Sequence, residues 1–262
     1  MLCAMQTFDP DWLVPEWPTP PSVRAVCTTR NGGGSAGNYA SFNLGTHVGD
    51  DPQHVAKNRM RLGTALAARP VFLNQTHGVH VQALAPDTVD GIDADAAITS
   101  HTGVACTVMV ADCLPVLLCD AAGTRVAVAH AGWRGLLGAA RQGVLEQTVA
   151  QLRGADSLAS IMVWLGPCIG PHAFEVGDEV RDAFVSNSAD AAACFVSASS
   201  GKWLADLPGL ARQRLMAMGV TQIYGNDGSD AWCTVGNPSR FFSHRRDRIS
   251  GRQAACIWRV VG

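Results

Sequence analysis

His77, Cys113 and His130 are the residues of this chain best suited to chemistry. Each sits in a distinctive local sequence: Gln75-Thr76-His77-Gly78, Ala111-Asp112-Cys113-Leu114-Pro115 and His130-Ala131-Gly132-Trp133-Arg134-Gly135. Two imidazoles and one thiolate are an ordinary donor set for zinc, and three protein ligands rather than four leave a position open for water or substrate. An open zinc site is a site for chemistry. Taken singly, each candidate has a plainer reading: a lone His as a hydrogen-bonded polar residue, a lone reduced Cys as a small core hydrophobe. Separations of 36 and 17 residues match no short zinc-finger pattern, so spacing alone decides little. With Met109 near Cys113 in sequence, two His, one Cys and a weak axial Met also read as a blue-copper set.

The elements that must position these residues are mostly short strands. Residues 23–28, 70–74, 79–84, 94–99, 104–110, 116–120, 125–130 and 161–165 are β-branched or apolar runs bounded by Gly, Asp or Pro, with closing strands near 222–225 and 252–261. His77, Cys113 and His130 then fall at strand ends, where loops carry functional groups on a rigid frame. A loop rich in Gly and Asn runs from Asn31 to Asn43. Residues 51–67 predict a helix whose apolar face is Val55, Met60, Leu62 and Leu66. Residues 135–152 predict one long helix, with Leu137, Ala140, Val144, Leu145, Thr148 and Leu152 on a single stripe. Helices over 178–187 and 207–218, the second capped by Asp206, complete the set. Strands outnumber helices and often follow one another directly. That predicts an α+β fold, one compact domain over residues 1–262 with mixed β-sheets and outer helices, entered through an extended lead-in over residues 1–21.

Composition narrows the function classes. Apolar residues make up 47% and charged residues 16%, enough for a large core and too little charge for a solvated tail. A formal net charge of −2 leaves no basic footprint for nucleic acid or an anionic membrane. The first ten residues lack a basic head and an apolar stretch, and the apolar runs are strand-length, so neither a secretory signal nor a membrane span is expected. Nine cysteines, an odd number, read as reduced thiols in a cytoplasmic protein rather than a disulfide framework. A monomer is the working expectation.

Four longer segments carry a resemblance: Asn74-Gln75-Thr76-His77-Gly78, Ala111-Asp112-Cys113-Leu114-Pro115, Ala129-His130-Ala131-Gly132-Trp133-Arg134-Gly135 and Leu165-Gly166-Pro167-Cys168-Ile169-Gly170. With Thr28-Thr29-Arg30-Asn31-Gly32-Gly33 before them and Phe241-Phe242-Ser243-His244-Arg245-Arg246-Asp247 after, the chain resembles the YfiH-like family. That family is also called the laccase-domain or polyphenol oxidase family, and its members are described as purine nucleoside phosphorylases. The resemblance implies an α/β/β/α-layered single domain with His77, Cys113 and His130 as zinc ligands. It implies purine nucleosides and phosphate as partners. The reactions would be phosphorolysis of adenosine, inosine, guanosine or methylthioadenosine to base plus ribose 1-phosphate, and deamination of adenosine by zinc-activated water. Position 244 departs from the pattern, being His where an aromatic such as Tyr is expected. A laccase's trinuclear copper cluster needs many His, typically in His-x-His pairs; eight His and no such pair argue against polyphenol oxidase activity.

Other residues take expected roles around that site. Arg30, beside Gly32 to Gly34, can grip phosphate bidentately, and Arg134, at the start of the long helix, is a second candidate. Asn43 and Gln75 can hydrogen-bond a base or ribose, or fix a loop. Cys168 is a nucleophile or a packed thiol, with packing preferred. Arg245 and Arg246 read as structural or rim charges, and His80 as a non-ligand on the following strand. Two other functions stay open. One is a cysteine-dependent amide or ester hydrolase, with Cys113 or Cys168 attacking and a His as base, a class that includes editing of amino acids on cell-wall precursors. The other is a non-enzymatic, zinc-stabilised interaction module, closed by a fourth ligand such as Cys106 or Cys119.

Overall fold

The computed structural model describes residues 8–155 and 160–261. Two mixed sheets face each other. The first has the order β1 (Val23–Cys27), β13 (Gln253–Arg259), β5 (Val104–Val110), β2 (Arg69–Phe72). The second has the order β12 (Gln222–Gly225), β8 (Ile161–Leu165), β6 (Leu114–Asp120), β7 (Val126–Ala131), β4 (Ala96–Thr99), β3 (Val81–Ala83). The pairs β2–β5, β3–β4 and β8–β12 are parallel and the others antiparallel. Between the sheets, Cys106, Val108 and Ile257 of the first meet Leu117, Val128 and Trp164 of the second. Burial on both faces explains why β5, β6 and β8 are unbroken apolar runs rather than alternating ones.

Helices cover both outer faces. On the first sheet, α1 (Pro52–Leu66) sets Leu62 and Leu66 against Phe72 and Trp258. On the second, α3 (Val144–Arg153) and α5 (Leu207–Ala217) set Leu145, Leu152 and Leu215 against Val116 and Val163. The result is the expected single-domain, mixed α/β architecture with α/β/β/α layering. Asp51 caps α1 by accepting from Gln53 N, and Asp206 caps α5 by accepting from Gly209 N. A small antiparallel sheet, β10 (Phe195–Ser199), β11 (Lys202–Ala205) and β9 (Glu175–Gly177), lies beside α4 (Asp178–Asn187) and was not legible in the sequence.

Three expectations need correction. Met60 is 69% exposed; the buried stripe of α1 is Val55, Asn58, Leu62 and Leu66, so an asparagine takes the place given to a methionine. The single helix over 135–152 is two, α2 (Trp133–Leu137) and α3, because Gly138 ends α2 at φ 60° and Ala140 and Arg141 also take left-handed conformations. Gly143 then starts α3 so close to α2 that a Cβ there would lie 2.1 Å from the Leu136 carbonyl oxygen. The lead-in is not wholly extended: residues 1–7 lie outside the described residues, Pro10 and Asp11 form a turn, and Leu13 bridges to Cys27.

Candidate metal centre

His77, Cys113 and His130 converge at one end of the sheets. His77 lies in the turn between β2 and β3, itself left-handed at φ 60°. Cys113 sits between β5 and β6, directly after Asp112 at φ 107°. His130 lies within β7 rather than at its end and is buried. Their donor atoms all fall within 4.8 Å of one another. Cys113 Sγ is 3.8 Å from His77 Nε2, and tetrahedral zinc with ordinary bond lengths sets sulfur and nitrogen about 3.6 Å apart. The donor set fits zinc. Gly132 makes room for it: a Cβ there would come 2.9 Å from Cys113 Sγ and 3.0 Å from His77 Cδ2.

Without a metal, the electrostatics favour a thiolate beside a charged imidazole, and a metal ion would displace the imidazole proton. Burial opposes ionisation of Cys113, but the charges and hydrogen bonds of His130 and His77 outweigh it and bring the thiol down to about 6. Burial likewise opposes a charged His130, yet the Cys113 thiolate and the Asp95 carboxylate raise it to about 9. Asp95, buried and paired with His130 Nδ1 at 2.8 Å, also accepts from the backbone of His77 and Gly78. Sequence reasoning passed over Asp95; the available signal was a carboxylate set inside the apolar run Ala94–Ile98.

A cavity of about 430 Å³ opens over the three donors. Its lining includes the apolar side chains of Leu73, Trp133, Ile169, Phe174 and Leu207. The lining also carries four arginines, Arg134, Arg245, Arg248 and Arg252, the imidazoles of His47 and His244, and one carboxylate, Asp112. Asp112 ties the cationic segment to the donors: it accepts from Thr234 Oγ1 and from the Arg245 backbone N–H, both at 2.6 Å. That N–H belongs to the short helix α6 (His244–Asp247), which also brings His244 to the cavity.

The remaining candidates separate clearly. Gln75 lines the cavity, but both ends of its amide pair with the Met109 backbone at 2.8 Å, so it pins the His77 turn to β5. Asn43 is fully buried and accepts from the backbone N–H groups of Gly45 and Arg252, which fixes the loop beside Arg252. Arg30 is not in the cavity lining; its guanidinium donates to the carbonyls of Ala40 and Pro238, away from the phosphate role expected of it. Cys168 is buried, its sulfur accepts from Asn226 Nδ2, and burial pushes its thiol well up, which is packing rather than nucleophilic chemistry. Arg246 donates to the carbonyls of Thr234, Val235 and Phe241, as a structural arginine should. His80 is exposed and outside the donor group. Cys106 and Cys119 are packed between the sheets, so neither closes the site as a fourth ligand. The Met109 thioether faces Arg59 at 3.8 Å. Among the described residues the eight cysteines are free thiols, and the trio is the one metal-competent group.

Comparison with known proteins adds four findings. The family described as multi-copper polyphenol oxidoreductase laccase matches residues 24–260. A purine nucleoside phosphorylase of Pseudomonas aeruginosa is 51% identical over 248 residues, covering 94% of this chain and 98% of its own length. The Escherichia coli K12 purine nucleoside phosphorylase YfiH is 50% identical over 250 residues, covering 95% and 98%. Among solved structures, a Neisseria meningitidis protein superposes with a TM-score of 0.88 at 46% identity, covering 96% of this chain and 100% of that one.

Proposed function

The chain belongs to the family described as multi-copper polyphenol oxidoreductase laccase, and from that premise we propose that it is a zinc-dependent purine nucleoside phosphorylase of the cytoplasm. The observation that carries this reading is the open His77–Cys113–His130 donor set in a cavity that is also lined by four arginines and by apolar side chains. Relatives named purine nucleoside phosphorylase support it. The copper chemistry in the family's description does not fit: among the described residues one trio of donors is present, whereas a multicopper oxidase requires several centres. In the described residues no helix is long and apolar enough to cross a membrane.

The chain's own groups divide the work. Zinc, when bound, supplies a Lewis acid and an activating site for water, the second of which serves adenosine deamination. Trp133 and Phe174 offer flat apolar surface to a purine. Arg134, whose guanidinium lies 4.4 Å over the Trp133 ring, and Arg248 line the cavity, and neither guanidinium has a hydrogen-bond partner among the described residues, which leaves their N–H groups to phosphate. The phosphate role first expected of Arg30 passes to them. Inosine, adenosine, guanosine and methylthioadenosine are the proposed substrates.

Product analysis with zinc-loaded protein tests this. Inosine should yield hypoxanthine and ribose 1-phosphate only when phosphate is supplied. Arg248→Ala should raise KM for phosphate about tenfold or more, since a charged hydrogen bond contributes roughly 1.5–3 kcal/mol. Base release at the same rate without phosphate makes the reaction hydrolysis and removes the phosphate assignment. One observation favours a second reading, a thiol-dependent hydrolase: Cys113 Sγ lies 3.8 Å from His77 Nε2, and the neighbouring histidines lower its thiol to about 6. A covalent adduct trapped on Cys113 during turnover would put that reading first.

A further inference from the structure

Asp95 sits directly before β4 and is fully buried. Burying a carboxylate is costly unless donors surround it, and here five do. Oδ1 accepts from His77 N at 2.9 Å and lies 2.8 Å from His130 Nδ1. Oδ2 accepts from Thr76 N at 3.1 Å, Thr76 Oγ1 at 3.0 Å and Gly78 N at 2.6 Å. The Asp95 main chain joins in, its carbonyl accepting from His130 N at 2.7 Å and its N–H donating to His80 O at 3.1 Å.

We propose that Asp95 is the positioning residue of the metal centre, a single carboxylate that presets two of the three donors. Its contact with Nδ1 makes that nitrogen of His130 the proton carrier and leaves the Nε2 lone pair for the metal. The three successive N–H groups of residues 76–78 converge on the same carboxylate and hold His77 in its left-handed turn, with Nε2 facing Cys113. Without that clamp, neither the tautomer of His130 nor the aim of His77 is set. The inference rests on the metal reading above, but its test separates the two.

Asp95→Asn keeps the size of the side chain and replaces one acceptor oxygen with an amide that faces donors. Zinc affinity of wild type and variant is measured by chelator competition, beside the visible absorption of the cobalt-substituted proteins and circular dichroism of both. The variant should keep its secondary structure, bind zinc about 10–100-fold more weakly and show a changed cobalt spectrum. Wild-type zinc affinity with an unchanged cobalt spectrum in Asp95→Asn overturns the proposal while leaving the metal reading intact. A wild type that takes up no zinc removes both. Should the variant fail to fold, nitrogen-15 histidine spectra of zinc-loaded wild type decide the matter. A proton on His130 Nδ1 supports the proposal, and one on Nε2 overturns it.

Discussion

A thiol held between two imidazoles behaves unlike one packed in a core. Burial pushes the thiols of Cys106, Cys119, Cys168, Cys194 and Cys256 up, whereas the neighbouring histidines bring Cys113 down to about 6 despite its burial. A depressed value means the thiolate dominates above that pH. Alkylation of metal-free protein by iodoacetamide should therefore fall first on Cys113, at a rate that climbs through pH 6 and then levels off. Zinc should protect it, because the thiolate is engaged by the metal; mass spectrometry of peptides reads both results. Fast labelling of Cys113 in the zinc-loaded protein would contradict the ligand assignment. At this scale the sequence singled out the three donors that the fold brings together, since His and Cys in such contexts advertise their chemistry. It did not show that Arg30 is engaged elsewhere, because an arginine's surroundings depend on which carbonyls happen to reach it, and Arg30 meets two.

Among the elements, the turn after β7 controls how closely the donors approach. Gly132 adopts φ −71°, which any residue tolerates, so its importance is one of space. Gly132→Ala places a methyl group 2.9 Å from the Cys113 sulfur and 3.0 Å from the His77 ring, closer than either tolerates without shifting. We expect the variant to fold, with a melting temperature within a few degrees of wild type, and to retain well under half the zinc after dialysis. Full zinc occupancy would show that the donors can spread without loss. Strands with both faces buried, such as β5 and β6, were legible as continuous apolar runs. The run over 135–152 was misread because apolar residues on α2 and α3 happen to keep a helical period across the gap, while Gly138 and Gly143 break the backbone. Strand β10 was missed for the opposite reason: four of its five residues are exposed, so no apolar pattern marks it.

Across the whole molecule, charge is distributed rather than abundant. The chain carries a formal net charge of −2, yet four arginines line one cavity. Such focusing draws anions to a site without making the protein basic, which is why the overall charge said nothing of phosphate. The layered architecture makes this possible. Two sheets buried against each other form the base; His130 stands on β7 itself, and the other donors, the apolar side chains and the arginines arrive on loops and helices. Mixed sheets with outer helices were legible from strand runs that follow one another directly, whereas the four-layer stacking came from the family resemblance. The cavity was not, since Asp112 joins residues 122 and 133 positions away in sequence, Thr234 and Arg245.

X-ray absorption at the zinc edge, on protein reconstituted with one equivalent of zinc, addresses the open metal centre most directly. The expected signal is one sulfur at about 2.3 Å with three nitrogen or oxygen neighbours at about 2.0–2.1 Å, two of them imidazole. Loss of the sulfur shell in Cys113→Ser should accompany it. Two or more sulfur neighbours, or an unchanged sulfur shell in Cys113→Ser, would contradict a three-ligand centre with a position free for substrate.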